Sequence, residues 1–314
     1  MELYRKPPPF IRHAMTISFL IPTYNYDCTA LVAELCRQAD IAGIDYEVLV
    51  ADDASTEWEV VQALDEIGKK PHCRVLRGAM NVGRAAIRNR LAQEAQGAYL
   101  IFMDSDAGVC HEDFVMRYCR AALPDQVVCG GICHPHKCPS PDRSLRWRYE
   151  KAAERRFTAE KRCSRPYDAF RTFNFMIPRS VMLSAPFDEN FRRYGYEDVL
   201  LGRRLQEMGM RILHIDNPLM NLDIETNEHF LRKTEEANGT LCEFYEQLRT
   251  HSGIIRCYER LQRHGLVGVA TRLFGILRPL LRRQLLSRYP SLFLFDVYKL
   301  GDFCRQMRDA QRVI

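Results

Sequence analysis

Apolar positions in the first half of the chain fall into short, nearly unbroken runs, separated by segments in which they recur every three to four residues. TISFLIP (Thr16–Pro22), YEVLVAD (Tyr46–Asp52), CRVLRG (Cys73–Gly78) and YLIFMD (Tyr99–Asp104) are rich in β-branched and aliphatic residues and read as strands. Helical patterns near Cys28–Ala42 and Glu57–Ile67 lie between them, followed by NVGRAAIRNRLAQEAQG, which opens on the candidate cap Asn81 and stops at Gly97. Strands apolar on both faces and joined through helices predict an α/β fold with a mainly parallel, doubly wound sheet.

Beyond Gly131 a polar, basic, proline-bearing stretch runs to about Arg171 and is expected to form loops and a helix over the sheet's crevice. TFNFMIP (Thr172–Pro178) and MRILHID (Met210–Asp216) read as further strands, and EDVLLGRRLQEMG (Glu197–Gly209) as an amphipathic helix. From Glu228 onward the pattern is almost wholly helical, with Pro279 expected to interrupt any long helix. The implied organisation is an extension over 1–15, an α/β domain over 16–240 whose two halves meet at about 130, and a basic helical region over 241–314.

With 46% hydrophobic and 10% aromatic residues in 314, the chain is able to bury a large core, which excludes a disordered class. No run of about 18 apolar residues is present, so no spanning helix is expected. Twelve cysteines are scattered through a chain that opens without an apolar leader, which points to reduced thiols and a cytoplasmic setting. The net charge of +5 is uneven: from Arg249 to the end, 13 Arg and Lys face 4 Asp and Glu. Over Gly265–Leu300 arginines mix with large apolar residues at near-helical spacing. This suits peripheral contact with an anionic membrane on its cytoplasmic face, or packing on the catalytic core or another copy. Nucleic acid is not an expected partner, because no recognisable binding module accompanies the basic residues.

Candidate chemistry gathers where the strands end. Thr23, Tyr24 and Asn25 follow the first strand, Asp52 and Asp53 close the second, and Asp104, Ser105 and Asp106 follow the fourth. Ligands of such sheets sit beyond the carboxyl ends of strands. Two carboxylates at i and i+2 suit a hard divalent cation that would neutralise a diphosphate, although a turn with two solvated aspartates has the same spelling. A phosphotransferase using Asp104 as nucleophile is a further alternative, disfavoured by Gly108 and by the strand being the fourth. Asp52 and Asp53 are suited to a base or ribose, or equally to starting the next helix. Arg84 and Arg88, one turn apart, face either a diphosphate or solvent. Glu197 and Asp198 open a helix, where carboxylates serve as caps or as a general base against an acceptor hydroxyl. CGGICHPHKC (Cys129–Cys138) gathers three cysteines and two histidines, but not at the spacing of a zinc site.

Taken in order, IPTYN, ADDAS, NVGRAAIRN, MDSDA and YGYEDVLLGRRL resemble the bacterial family 2 glycosyltransferases of GT-A fold, over roughly Thr16–Glu236. The resemblance implies inverting transfer from a nucleotide-sugar donor, usually a UDP-sugar, to a glycan or lipid-linked acceptor in cell-surface polysaccharide synthesis. It matches Pro22, Thr23, Tyr24 and Asn25 to the strand motif lining the nucleotide, and Asp52 with Asp53 to the pair contacting base and ribose. Asp104 and Asp106, with Ser105 between them, match the DxD motif that holds Mn²⁺ or Mg²⁺ and the diphosphate. Asp198 matches the catalytic base, and Glu197, beside Tyr196, its acceptor-facing partner. Relatives often place a metal-binding histidine after this helix. Here Asn221 stands in that place, with His214 as the other candidate, and a catalytically idle domain that binds nucleotide-sugar or glycan is the alternative this departure raises.

Overall fold

The structure is a computed structural model and describes residues 16–191, 194–250 and 252–310, so the expected extension over 1–15 lies outside the described residues. In chain order its elements begin β1 (Thr16–Thr23), α1 (Thr29–Ala42), β2 (Asp45–Asp52), α2 (Trp58–Gly68), β3 (Cys73–Arg77), α3 (Arg84–Glu94) and β4 (Tyr99–Met103). There follow β5 (Ala107–Val109), α4 (Phe114–Ala121), β6 (Gln126–Cys129), β7 (Ile132–Cys133), α5 (Ser144–Arg156), α6 (Ala159–Cys163), β8 (Asn174–Pro178) and α7 (Arg179–Ser184). The chain continues through α8 (Glu197–Glu207), β9 (Arg211–His214), β10 (Leu219–Asn221), α9 (Asn227–Glu243), α10 (Tyr245–Leu248), α11 (Gly253–Arg263), α12 (Val267–Leu285) and α13 (Leu292–Ala310).

The chain divides into two compact units. The first comprises Met1–Cys133, Phe157–Glu189 and Leu201–Leu222; the second comprises His134–Arg156, Asn190–Leu200 and Asp223–Ile314. The first holds a seven-stranded sheet in the order β3-β2-β1-β4-β8-β6-β9, in which only β8 runs antiparallel to its neighbours. Alternate residues of the strands feed two cores. Ile17, Phe19, Ile21, Val48, Val50 and Ile101 pack with the apolar faces of α1, α2 and α4. Leu20, Leu49, Leu100 and Phe102 pack on the other side with α3, α7 and the Leu201 and Leu205 side chains of α8. Covered on both faces, the strands read as continuous apolar runs, which is why they are legible in the sequence.

Strand order reverses at β1, which pairs with β2 on one side and β4 on the other, so the carboxyl ends of β1 and β4 mark the topological switch point. A second, three-stranded sheet in the order β5-β10-β7 adjoins this end and is absent from the sequence-based expectation. Among the described residues no disulfide is formed by the twelve cysteines.

The second unit is helical. Its clusters join Leu145, Phe230, Leu231, Phe274, Phe295 and Tyr298, and separately Leu241, Leu248, Ile255, Tyr258 and Phe303. Because α9 buries its Phe230 and Leu231 here, the division falls after Leu222 and not near residue 240. Among the described residues no helix is long and apolar enough to cross a membrane.

Pro279 does not break α12, contrary to the sequence reading. The bond it forfeits is to the Gly275 carbonyl, and both residues lie on the exposed side of the helix, where water satisfies that oxygen. Replacing Pro279 with Ala should therefore raise the unfolding free energy by about 2 kcal/mol: roughly 3 from helix propensity, less about 1 from greater freedom of the unfolded chain. A urea titration reads this directly, and a loss of stability would show that the proline is structurally required.

Candidate active site

Three loops meet at the carboxyl ends of β1, β2 and β4, and the bonds that join them come from the residues singled out in the sequence. Pro22 lies in β1 in register with Ala51, and Thr23, which ends the strand, donates its hydroxyl to the Tyr26 carbonyl (2.8 Å) and accepts from the Asp53 amide (2.9 Å) on its own carbonyl. Asn25 Oδ1 accepts the Thr56 and Glu57 amides at 2.7 and 3.2 Å, tying the first loop to the entry of α2. The Tyr24 ring between them is half exposed.

The acidic pair is buried. Asp52 accepts from the Ser55 amide (2.9 Å) and from Arg77 Nη1 (3.0 Å), while Asp53 accepts from the Val82 and Gly83 amides at 2.8 and 3.0 Å. Asp53 thus fastens the loop before α3 onto the end of β2, and Asp52 holds the turn that follows it; neither starts the next helix, whose cap position is Glu57 with no side-chain bond, so that alternative from the sequence does not hold. Gly78 is needed in the same loop, since a Cβ there would lie 2.8 Å from the Asp52 carbonyl oxygen.

Asp104, Ser105 and Asp106 form a tight turn, closed by the Ala107 amide on the Asp104 carbonyl at 3.2 Å. The Asp104 carboxylate is gripped on both oxygens: Arg88 Nη2 reaches Oδ1 at 2.5 Å and Arg84 Nη2 reaches Oδ2 at 2.9 Å. The Arg88 side chain is 2% exposed and that of Arg84 45%, so one guanidinium is structural and the other half open to solvent. Burial pushes the Asp104 carboxyl up, but the two guanidiniums pull it down by more, leaving it below the usual aspartate value. With both oxygens engaged, Asp104 is better placed to hold arginines than to serve as an open metal ligand, a correction to the expectation.

Directly after Asp106, β5 pairs antiparallel with β10, placing Asn221 opposite Ala107, and the Leu222 amide donates to the Asp106 carbonyl at 2.9 Å. Asn221 is buried, and its Oδ1 has no hydrogen-bond partner. An orphaned amide oxygen is a donor type that a hard cation takes, and with the carboxylate of Asp106, the residue before Ala107, it supplies chemistry suited to Mn²⁺ or Mg²⁺ completed by phosphate and water. Among the described residues no three His, Cys, Asp or Glu side chains converge. In the stretch Cys129–Cys138, Cys129 is buried in the sheet, His134 sits against Glu154, and the Cys138 thiol reaches the Ser140 carbonyl.

His214 does not serve as the alternative ligand. Its Nδ1 accepts from Arg162 Nε (3.3 Å) and its Nε2 donates to the Pro166 carbonyl (2.9 Å), so no lone pair is left for a metal. Burial pushes its pKa down to about 4, keeping the ring neutral.

In the helical unit, Glu197 and Asp198 occupy the first turn of α8. They follow two residues in left-handed backbone, Gly195 (φ 105°) and Tyr196 (φ 68°). The preceding Tyr194 is anchored on α9: its amide donates to Glu236 (3.0 Å), its carbonyl accepts from Thr240 (3.0 Å), and Lys233 lies over its ring. A Cβ at Gly195 would come within 3.2 Å of Ala237, so the turn lies close against that helix. Sequence reasoning missed this platform, since its contacts span more than forty residues. Four non-glycine residues among those described have left-handed backbone, and three of them, Asn25, Ala54 and Tyr196, lie in candidate site loops, where such strain characteristically collects.

The family model for glycosyl transferase family 2 matches residues 18–183, more than half of the chain. A validoxylamine A glucosyltransferase of Streptomyces hygroscopicus subsp. limoneus is 29% identical over 232 residues, covering 65% of this chain and 50% of that protein. The poly(ribitol-phosphate) beta-N-acetylglucosaminyltransferase TarS of Staphylococcus aureus (strain Mu50) is 33% identical over 95 residues, 29% of this chain and 16% of that one. The chain spans about half the length, or less, of these curated relatives. Among solved structures, the mannosyltransferase PcManGT from Pyrobaculum calidifontis in complex with GDP-Man and Mn²⁺ superposes with a TM-score of 0.55 at 14% identity, covering 94% of this chain and 86% of that one. A sheet that reverses order at β1, a DxD turn at that reversal and a family match running from β1 into α7 lead to one assignment: the chain belongs to glycosyl transferase family 2 and has the GT-A fold.

Proposed function

We propose that the protein transfers a sugar with inversion from a nucleoside-diphosphate sugar, UDP-linked, to a hydroxyl of a glycan or lipid-linked acceptor. The product belongs to a cell-surface polysaccharide or similar glycan, and the enzyme works at the cytoplasmic face of an anionic membrane. The observation that carries the donor half of this reading is the group at the switch point: Asp104 gripping Arg84 and Arg88, next to Asp106 and the orphaned Oδ1 of Asn221. GDP-Man and Mn²⁺, with which PcManGT is in complex, support the donor class and a divalent cation. The acceptor named for TarS, a poly(ribitol-phosphate), supports a polymeric surface glycan.

Each residue then has a task. Thr23, Tyr24 and Asn25 line the nucleoside, with Asp52 and Asp53 holding the loops that frame it. Arg84, steadied by Asp104, offers its exposed guanidinium to the diphosphate. Asp106 and Asn221 hold Mn²⁺ or Mg²⁺, which when bound offsets charge on the departing diphosphate. Asp198 accepts the proton of the acceptor hydroxyl as its oxygen attacks the anomeric carbon, and Glu197 and Tyr196 orient that acceptor. One displacement gives one inversion.

Calorimetry of UDP binding with and without Mn²⁺ tests the metal site on wild type, Asp106→Ala and Asn221→Ala. In wild type Mn²⁺ should tighten UDP binding, and each substitution should erode that gain by at least about tenfold. Wild-type binding that ignores Mn²⁺ would end the metal assignment. A gain that survives both substitutions would move the ligands elsewhere.

A further inference from the structure

The membrane location proposed above calls for a surface that meets lipid, and one face of α12 has the required chemistry. Leu266, just before the helix, and Val269, Leu273, Ile276, Leu277 and Leu280 recur every three or four residues and are all exposed, Ile276 at 73% and Leu280 at 64%. The adjoining face, with Phe274, Leu281 and Leu285, is buried against α13. The exposed stripe therefore belongs to a helix whose core-facing side is already satisfied. Past the helix end Leu286, Tyr289 and Phe293 are also exposed, Phe293 at 73% at the start of α13. Single exposed apolar residues need no explanation, but a stripe along about four turns marks an interaction surface.

Charge decides the partner. From Arg260 to Phe295 there are seven arginines and no aspartate or glutamate. Arg278 and Arg282 turn inward to Glu235, at 3.1 and 3.3 Å, and so belong to the fold. Arg272, Arg283 and Arg288 are exposed beside the apolar stripe. A second copy of the chain meeting this face about a two-fold axis would set arginine against arginine. An anionic bilayer takes both components, the apolar side chains into the acyl boundary and the guanidiniums among phosphates.

We infer that Leu266, Val269, Leu273, Ile276, Leu280 and Phe293, flanked by Arg272, Arg283 and Arg288, form a face that docks in the plane of an anionic membrane. This rests on the proposed membrane location and not on the transfer chemistry.

Flotation of the full chain with phosphatidylcholine vesicles, with and without phosphatidylglycerol, tests it. Wild type should float with the anionic vesicles and be released by high salt. Ile276→Glu/Leu280→Glu, at two exposed positions, should lose at least about tenfold in partitioning with an unchanged circular dichroism spectrum, since each buried aliphatic side chain contributes about 1.5 kcal/mol or more. Replacing Arg272, Arg283 and Arg288 with Ala should lose about fivefold per arginine, from about 1 kcal/mol each near such a surface. Wild type that floats with neither vesicle overturns the membrane location as well as the face. Flotation unaffected by either set of substitutions overturns the face alone. A wild-type dimer that the glutamates disperse, without flotation, assigns the stripe to a second copy and overturns the inference. The transfer reaction is not read in any arm, so a failed face and a failed glycosyltransferase reading remain separate results.

Discussion

Asp198→Asn should lower the rate of sugar transfer by about 10² to 10⁴-fold while leaving UDP affinity unchanged, the loss expected when a positioned general base is removed. The substitution separates chemistry from architecture. Asp198 opens α8, where its Oδ1 accepts the Val199 amide at 2.8 Å, and an asparagine oxygen is able to accept the same bond. The turn in front of it is held by Tyr194 on α9 through Glu236 and Thr240, none of which the substitution touches. Stability should therefore shift by less than about 1 kcal/mol. Transfer assays beside a urea titration check both halves. An undiminished transfer rate would remove Asp198 as the base, and a rate that fell only with a matching loss of stability would make it a structural cap.

The second large effect is expected at Arg88. Replacing it with Met keeps an apolar stem in the buried space but leaves Asp104 with Arg84 alone. Breaking a buried pair in this way costs about 3 kcal/mol or more, because a carboxylate stays behind with half its compensation. The pH dependence follows from the direction of the Asp104 shift. Its carboxyl is held below the usual aspartate value, so the stabilisation it lends is complete above the unfolded value and disappears as pH falls through the folded one. The stability gap between wild type and Arg88→Met should be constant through neutral pH and narrow in acid. UDP affinity should fall as well, since Arg84 would lose its fixed partner geometry. A gap that widened in acid would contradict the assigned pairing, and a gap of a few tenths of a kcal/mol would show that the pair contributes little.

The parts of this molecule that can be read from its sequence are those in which local pattern and long-range packing coincide. β1, β2 and β4 are buried on both faces, so burial and periodicity spell the same strands. β5 and β10 are three residues each, too short to show alternation, and β10 ends on a polar residue. Their pairing nevertheless sets Asn221 opposite Ala107, and the buried, unpartnered state of its oxygen is a property of tertiary structure alone. Arg84 and Arg88 are visible as neighbours on one helix face, but their shared partner lies on the next strand, and that partner changes Asp104 from an expected metal ligand into the residue that holds the arginines. His214 looked equally available until both ring nitrogens were accounted for. Pro279 misled because the hydrogen bond it forfeits was expected to end the helix, while it and Gly275 both lie on the exposed side, where solvent replaces that bond.

The bonds from Asn25 and Asp53 to the amides of Thr56, Glu57, Val82 and Gly83 have a consequence for affinity. Fixing one residue's backbone costs about 1 to 2 kcal/mol of conformational entropy. Four residues at the rim of the candidate nucleotide pocket are immobilised as the chain folds, so an arriving donor meets loops whose ordering was completed beforehand. On the proposed reading, Asn25 and Asp53 thus act on donor affinity also by keeping the pocket's shape in the donor's absence.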